Sequence, residues 1–195
     1  DVVMIRTSKH KKLEEFAKHS NIPVINGLSE QGHPCQIMSD ILTFEEIKGN
    51  IKDKTIAWLG DGNNVCASTL HAAGQFGFNF TFSGPKELDP DTSYFNYARS
   101  KGSFVSIDRD PINAIQNADL IMTDTWVSMH ENKSHTTKGR DNQLKPYQVN
   151  NALMKKSKKD AIFMHCLPAH RGQEVTTGVI DGDRSVVFDQ AENRL

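Results

Sequence analysis

The amino-acid sequence predicts an α/β fold: a doubly wound, mainly parallel sheet with helices on both faces. From residue 55 onward, short apolar runs of strand length alternate with segments in which apolar residues recur at helical spacing. The five strand-like runs cover residues 56–60, 78–82, 104–107, 119–123 and 161–164. Because strands that alternate with helices form parallel sheets, ligands are expected at the carboxyl ends of these strands.

Helices are predicted between the strands, and two of them begin at a proline. Proline suits the first turn of a helix, since the N–H that it lacks has no helical partner there. Pro111 therefore starts a short helix to Asn117, and Pro146 starts one that runs through Lys155. The other helices are predicted at 65–76 and 92–101, and one more strand at 185–188.

The first 47 residues predict part of a second unit. Residues 2–5 and 22–25 are apolar enough for strands, residues 9–19 suit a helix, and Asn26-Gly27 is typical of a turn. A further helix starts at Pro34 and carries an apolar stripe to Lys48. These elements are too few to fill a domain. Residues 1–47 are therefore expected to be the C-terminal part of a second α/β domain with its linking helix, and residues 48–195 the larger domain. The abrupt ends lead us to expect a chain that is truncated or disordered at both.

Composition narrows the possible functions. Of the 195 residues, 37% are hydrophobic and 24% charged, and the net charge is −1, a balance typical of globular domains. Without a basic field, nucleic acid is not an expected partner, and without an apolar run of roughly 18 residues neither is a membrane. Cys35, Cys66 and Cys166 are widely spaced and odd in number, which indicates reduced thiols in a cytosol-like compartment.

Polar residues follow three of the predicted strands directly, at 61–64, 124–129 and 165–171. Because parallel strands end at the same edge of a sheet, these three segments should meet there. The sequence therefore predicts a site for a small polar ligand at this edge.

The first segment, Gly60-Asp61-Gly62-Asn63-Asn64, ends a strand and starts a helix. It is partly similar to a dinucleotide-binding loop, but Val65 replaces the third glycine and would obstruct close packing of helix and strand. A nucleotide-dependent oxidoreductase is therefore a less favoured alternative. The two asparagine amides suit a zwitterionic ligand, although they could also serve only as a turn and a helix cap.

Two further pairs of residues suit parts of a small ligand. Asp124 and Ser128 could bind an ammonium group, and the long polar stretch from there to Gly139 is typical of a lid. His33 and Gln36 stand at i and i+3 on a first helical turn, where they face the same way and could hydrogen-bond a carbonyl or an amide. A solvent loop and a surface helix cap are the plain alternatives.

Cys166, in His165-Cys166-Leu167-Pro168, has several interpretations. It could be a covalent nucleophile with a histidine base, a metal ligand together with His165 and His170, a non-covalent thiolate beside an amine, or simply a buried thiol. The spacing does not match structural zinc sites, so the metal interpretation is weak. The cationic candidates for an anionic group are Arg6, Arg171 and Arg194.

Five short motifs follow one another along the whole chain. They are His33-Pro34-Cys35-Gln36, Asp61-Gly62-Asn63-Asn64, Asp124-Thr125-Trp126-Val127-Ser128-Met129, His165-Cys166-Leu167-Pro168 and Glu192-Asn193-Arg194. In this order the motifs resemble those of the ornithine carbamoyltransferases. The resemblance implies a carbamoyl-phosphate domain and an ornithine domain joined by long helices, trimers, a cis Leu167–Pro168 bond, and no metal or organic cofactor. It departs from the family at His130, where glycine is usual, and the family's Ser-Thr-Arg-Thr phosphate loop would lie upstream of residue 1.

The resemblance also implies roles for individual residues. Contacts of carbamoyl phosphate correspond to Arg6, His33, Gln36, Cys166, Leu167 and Arg194. Contacts of ornithine correspond to Asn64, Asp124, Ser128, Met129 and Cys166. In that mechanism Cys166 and Asp124 orient the δ-amine of ornithine and help to manage its proton, while His33 and Arg6 stabilise the oxyanion of the tetrahedral intermediate.

The implied reaction transfers the carbamoyl group from carbamoyl phosphate to the δ-amine of L-ornithine and gives citrulline and phosphate, as in arginine or urea-cycle metabolism. A homotrimer or a multiple of trimers is expected, in the cytoplasm of a bacterium or the mitochondrial matrix of a eukaryote. The alternatives are a fragment that binds ornithine without catalysis, and a carbamoyltransferase for another amine or amino acid. Aspartate is less favoured because its second carboxylate needs cationic groups, and putrescine because it has no carboxylate for Asn64 and Ser128-Met129.

Overall fold

The structure, a computed structural model, describes residues 1–126 and 137–195. Its N-terminal part is a parallel pair of strands, β1 (Val3–Arg6) and β2 (Val24–Leu28), with helix α1 (His10–His19) between them in the chain. Asn26-Gly27 lies inside β2, so the turn predicted there is wrong. Gly27 allows the two strands to approach, because a Cβ at this position would lie 3.0 Å from Cγ of Met4.

Helix α2 (Pro34–Lys48) connects this pair of strands to the larger unit. It begins at the predicted proline and ends at Gly49, whose φ of 77° suits glycine and terminates the helix. Ile37, Ile41 and Phe44 recur at helical spacing and are buried. The buried face of α2 therefore belongs to the core of the larger unit.

The larger unit is built on a five-stranded parallel sheet, which confirms the predicted fold class. Its strands are β3 (Thr55–Leu59), β4 (Asn79–Ser83), β5 (Val105–Ile107), β6 (Leu120–Thr123) and β7 (Ile162–His165). They are arranged in the order β5-β4-β3-β6-β7, and every neighbouring pair is parallel. The order reverses between β3 and β6, as in other doubly wound sheets.

Helices follow the strands along the chain. They are α3 (Asn64–Phe76), α4 (Thr92–Ser100), α5 (Pro111–Ile115), α6 (Thr137–Leu144), α7 (Asn151–Met154), α8 (Thr177–Ile180) and α9 (Val187–Glu192), with short 3-10 helices at Lys86–Leu88 and Lys145–Tyr147. Within residues 1–126 and 137–195, no helix has both the length and the apolar character needed to cross a membrane.

The helices cover both faces of the sheet, because successive residues of a strand point to opposite sides. In β3, Ile56 and Trp58 pack in the core formed with α2, α3 and α4, whereas Ala57 and Leu59 pack in the core formed with α5, α7 and α8. The central strands are buried on both sides, which explains their continuous apolar sequence.

The strand predicted at 185–188 is wrong. Ser185 forms a single bridge with Phe163, and Val186 donates its N–H to the carbonyl of Phe163 at 3.0 Å. The chain then turns into α9 at Val187. This brief contact with β7 is important for the site, because it brings α9 against the end of that strand.

The helix predicted from Pro146 to Lys155 is also wrong, since the structure divides it. After the 3-10 helix, Val149 forms a bridge with Val175. Asn150 then caps α7 by accepting the N–H of Leu153 at 2.9 Å. A helix cap with extended backbone interrupts any continuous helix at this point.

Candidate active site

The three polar loops meet at the carboxyl edge of the larger sheet. The strand order places the ends of β3 and β6 side by side where the sheet reverses its order, and β7 ends next to β6. In open α/β sheets, this reversal creates the crevice in which ligands bind. We therefore take the loops after β3, β6 and β7, together with the start of α2, as the candidate active site.

The loop after β3 is held by Asn63, which caps α3. Its Oδ1 accepts the N–H groups of Val65 and Cys66 at 3.0 and 3.1 Å, so its Nδ2 must point the other way. Nδ2 donates to Oδ2 of Asp124 at 2.6 Å. Asn63 therefore connects the loop after β3 to the loop after β6 across the point where the strand order reverses.

Asp124 and Cys166 meet above the ends of β6 and β7. The thiol donates to Oδ1 of Asp124, with 3.0 Å between sulfur and oxygen. The same oxygen accepts the N–H of Thr125 at 2.7 Å. The Asp124 carboxylate thus receives a thiol, a backbone amide and the Asn63 amide, and it is mostly buried.

The environment of Cys166 keeps the sulfur protonated. Burial, and then the negative charge of Asp124, raise the pKa of the Cys166 thiol well above its ordinary value. A covalent cysteine nucleophile needs a lowered pKa, so that the thiolate is present. The raised pKa therefore argues against both the covalent nucleophile and the non-covalent thiolate, and it leaves Cys166 as a neutral thiol beside Asp124.

His165 is buried below this thiol and orders the loop. Its Nδ1 accepts the N–H of Leu167 at 2.9 Å, so the ring proton belongs on Nε2. Nε2 lies 3.3 Å from Oε1 of Glu174, a fully buried carboxylate that also accepts the N–H of His170 at 2.5 Å. The Nε2 and Oε1 atoms are close enough for an electrostatic contact, but they are not aligned as a hydrogen bond. Leu167 has a φ of 55°, and its bond to Pro168 is cis, as the resemblance implies.

A metal site with His165, Cys166 and His170 has little support from this geometry. His170 is more than half exposed and lies 3.9 Å from Glu174 through its Nδ1. Ligand atoms of Asp124, His165 and Cys166 do lie within 4.8 Å of one another. However, the Nδ1 lone pair of His165 is already used by Leu167, and its Nε2 faces Glu174.

His33 stands at the start of α2 and is 5% exposed. Burial, followed by the charges of Arg194 and Arg6, lowers the pKa of its imidazole from 6.5 to about 4. The ring is therefore neutral at pH 7. Its backbone N–H donates to Oγ of Ser68 at 2.8 Å, while its buried Nδ1 has no hydrogen-bond partner among the described residues. A neutral imidazole can donate one N–H to a ligand oxygen.

Gln36 and Arg194, which the resemblance assigns to the same substrate, are hydrogen-bonded to each other. The guanidinium of Arg194 donates to Oε1 of Gln36. Arg6 is exposed at the end of β1, and its charge acts on His33. These residues come from three distant parts of the sequence, and the structure brings them to one side of the site.

Other predicted residues are placed differently or lie outside the described residues. Nδ2 of Asn64 donates to the carbonyl of Ser29 at 2.8 Å, so that part of its amide is engaged within the protein. Arg171 pairs with Asp181 at 2.8 Å on the surface. The predicted site residues Ser128 and Met129, and the family departure at His130, lie outside the described residues.

Sequence reasoning named Asn63 only as part of a polar segment and as a possible helix cap, and it missed three other polar residues that organise the site: Asp40, Gln190 and Glu174. The signal for Asn63 was its place directly before a helix, where asparagine is a typical cap. Asp40 carried a weaker one, because it lies four residues after Gln36 and so on the same face of α2. Gln190 and Glu174 carried none, because only tertiary contacts make them part of the site.

Two family models match this chain. Residues 52–195 match the family model "Aspartate/ornithine carbamoyltransferase, Asp/Orn binding domain". Residues 1–46 match "Aspartate/ornithine carbamoyltransferase, carbamoyl-P binding domain".

Two bacterial relatives carry the same name. Proteins of Cereibacter sphaeroides and Roseobacter denitrificans named ornithine carbamoyltransferase are 60% and 58% identical to this chain over 195 residues. The chain spans 63% of the length of these relatives. Among solved structures, the ornithine carbamoyltransferase from Pyrococcus furiosus superposes with a TM-score of 0.93 at 43% identity, covering the whole chain and 63% of that protein. The match of fold and sequence along the whole chain shows that it belongs to the aspartate/ornithine carbamoyltransferase family.

Proposed function

We propose that this protein transfers the carbamoyl group from carbamoyl phosphate to the δ-amine of L-ornithine and releases citrulline and phosphate. The names of the relatives and the two matched family models support the reaction. We also propose a role in arginine biosynthesis, a cytoplasmic location and assembly into homotrimers. The proposal assigns residues 1–47 to the carbamoyl-phosphate side and residues 48–195 to the ornithine side.

The observation that carries the proposal is the pairing of Asp124 with Cys166 at the point where the strand order reverses. The attacking amine of ornithine must be neutral, and it must lose a proton after it attacks. A buried carboxylate beside a neutral thiol offers an acceptor for the N–H groups of that amine without offering a competing nucleophile. This combination suits direct transfer of the carbamoyl group to an amine better than transfer through a covalent cysteine intermediate.

The opposite side of the site suits the carbamoyl group. As the amine attacks, negative charge develops on the carbamoyl oxygen, and preorganised donors lower the energy of that state. In the proposal, the neutral imidazole of His33 donates to this oxygen, and Arg6 and Arg194 supply positive charge. Gln36 binds the carbamoyl amide, and Leu167 with Cys166 forms the wall between the two substrates.

The choice of ornithine as the acceptor rests on charge. Among the described residues of the three loops, Asp124 gives the acceptor side a negative charge, which favours an amine over the second carboxylate of aspartate. In the proposal, Asn64, Ser128 and Met129 bind the α-amino and α-carboxylate groups. Those contacts would discriminate against putrescine, which lacks the carboxylate.

A citrulline-formation assay tests the proposal most directly. Carbamoyl phosphate is supplied with ornithine, putrescine or aspartate to the natural full-length protein and to the 195-residue chain. We expect the full-length protein to carbamoylate ornithine in clear preference to the other two acceptors. Carbamoylation of putrescine or aspartate at a comparable kcat/KM would refute the proposed acceptor.

The 195-residue chain tests a second candidate function, binding of ornithine without catalysis. The observation that favours this function is that the chain holds the acceptor-side residues Asp124 and Cys166, which contact each other. Calorimetry with ornithine, run beside the assay, should give weak binding without turnover for this chain. If the full-length protein also binds ornithine and forms no citrulline, the binding function replaces the enzymatic one.

A further inference from the structure

A buried carboxylate links the two sides of the candidate active site. Asp40 lies one turn after Gln36 on α2 and is 4% exposed. Its Oδ1 accepts two hydrogen bonds, one from Nε2 of Gln36 at 2.8 Å and one from Nε2 of Gln190 at 2.6 Å. Its Oδ2 is buried and has no hydrogen-bond partner within the described part of the chain.

Each of these two amides holds a group of the site at its other end. Oε1 of Gln36 accepts from the guanidinium of Arg194. Oε1 of Gln190 accepts the backbone N–H of His165, directly before Cys166, at 3.0 Å. A continuous path of hydrogen bonds therefore leads from Arg194 through Asp40 to the loop that carries Cys166.

The direction of every bond in this path is forced. A guanidinium and a backbone N–H can only donate, so both amide oxygens must face them. Both NH2 groups then turn to the residue between them, and that residue must accept. A side chain without an acceptor at this position would leave two buried donors unsatisfied, and the amides would turn or shift to find partners.

The carboxylate is unfavourable for the fold itself. Burial raises the pKa of Asp40 from 3.8 to about 7, against the opposing effects of the two amides and the charge of Arg194. A buried ionisable group without a paired cation destabilises a core. Its presence therefore indicates a requirement of the site rather than of the packing between α2 and α9.

We propose that Asp40 is a positioning residue whose carboxylate orients the amides of Gln36 and Gln190, and thereby places Arg194 and the Cys166 loop relative to each other. The role rests on the proposed function, since both ends of the path are residues to which that function assigns substrate contacts. Asp40 itself does not need to touch a substrate.

The test compares three variants of the natural full-length protein. Asp40→Ala removes the acceptor, whereas Asp40→Asn retains an oxygen that can accept from both amides. Ser39→Ala is the matched control, because Ser39 is a buried neighbour on α2 whose Oγ donates to the backbone carbonyl of Gln190 at 2.5 Å. It contributes to the same interface between helices without orienting either amide.

Two readouts distinguish a failure of this positioning role from a failure of the proposed reaction. The first is kcat and KM for citrulline formation. The second is the rate at which iodoacetamide modifies Cys166, measured on its peptide by mass spectrometry, which needs no turnover. Cys66 is fully buried in the core, so its modification reports unfolding. If the wild-type protein forms no citrulline, the proposed function fails, and the alkylation rates still test the placement of the Cys166 loop.

For Asp40→Ala we expect kcat to fall roughly 10- to 100-fold while KM for ornithine changes less than about threefold, as for loss of hydrogen bonds to a charged group in the site. Alkylation of Cys166 should become about fivefold faster, the effect of one lost hydrogen bond on local opening, with Cys66 unmodified. Asp40→Asn should retain kcat within about fivefold, and Ser39→Ala within about threefold. In both variants the side-chain amides of Gln36 and Gln190 keep an acceptor.

Two results would overturn the proposal. If Asp40→Ala behaves like Ser39→Ala in both readouts, the residue serves only the packing of the helices. If Asp40→Asn is as impaired as Asp40→Ala, the charge matters and the orientation of the amides does not. Should Asp40→Ala fail to fold, Gln190→Met interrupts the path to His165 and must give the same rise in Cys166 alkylation.

Discussion

Replacing Asp124 by asparagine should impair the use of ornithine far more than the binding of carbamoyl phosphate. In the structure the carboxylate accepts from the Asn63 amide, the Cys166 thiol and the Thr125 N–H. An asparagine that keeps its oxygen toward Cys166 and Thr125 turns its NH2 group toward Nδ2 of Asn63. Asn63 cannot rotate in response, because its own oxygen caps α3.

The expected fall in kcat/KM for ornithine follows from these contacts. A hydrogen bond to a charged group contributes about 1.5–3 kcal/mol, and an unsatisfied buried donor costs about 1–3 kcal/mol. A loss of about 3–4 kcal/mol corresponds to a fall of roughly 100- to 1000-fold in kcat/KM for ornithine. Since the charge of Asp124 raises the pKa of Cys166, the variant should also have a lower Cys166 pKa and faster alkylation at pH 8.5.

The assay is citrulline formation with each substrate varied in turn, beside calorimetric titration of carbamoyl phosphate. Asp119→Asn is the matched control, because Asp119 lies at the opposite end of β6, where it accepts from the N–H of Thr55 and from Lys158. The control should leave kcat/KM for ornithine within about threefold. A fall of less than about tenfold for Asp124→Asn, or an equal loss of affinity for carbamoyl phosphate, would refute the role given to Asp124.

Three further predictions test other parts of the structure. Cys166→Ala should raise KM for ornithine by about tenfold, the effect of one lost hydrogen bond, and leave the affinity for carbamoyl phosphate unchanged; unaltered ornithine kinetics would contradict the role of the thiol. His33 has a folded pKa of about 4, below its unfolded value of 6.5, so the unfolded state binds more protons between these values and stability is lost as pH falls from 6.5 toward 4. Thermal melts of wild type and His33→Asn at pH 7.5 and 4.5 should therefore show the larger decrease for the wild type, by up to about 3 kcal/mol, and parallel decreases would contradict the lowered pKa. Gly84→Ala should destabilise the fold by at least about 2 kcal/mol, because its Cβ would lie 2.1 Å from the carbonyl oxygen of Gly60. Gly139→Ala, where a Cβ meets no neighbour, is its control in urea unfolding, and equal stability of the two would show that the loop after β4 can move away.

The fold was predictable where local pattern and tertiary environment agree. The mainly apolar runs at 56–60 and 119–123 have the length of strands buried on both sides, and they became β3 and β6. The pattern failed at 185–188, where the apolar residues Val186 and Val187 suit a strand equally well. There the edge of β7 accepts a single bridge from the chain, and packing against β7 makes the rest a helix.

The site was predictable as a set of loops but not as a set of contacts. Strand ends located Asp124 and Cys166, because parallel strands deliver their carboxyl ends to one edge. The resemblance assigned Asn64 to ornithine and gave Asn63 no role of its own, whereas in the structure Asn63 contacts the carboxylate of Asp124. Two adjacent asparagines cannot be distinguished until the start of the helix is known, since the cap residue and the next residue point in different directions.

The sequence by itself determined the fold class, the family resemblance and the loops at which chemistry is expected, because these depend on periodicity and on short motifs. Only the tertiary structure decided the states of the side chains. Burial and charge keep His33 neutral and Cys166 protonated, and neither property can be deduced from neighbours along the chain. The same holds for Asp40 and Gln190, which are 150 residues apart in the sequence and 2.6 Å apart in space, because hydrogen bonds depend on distance in the folded chain.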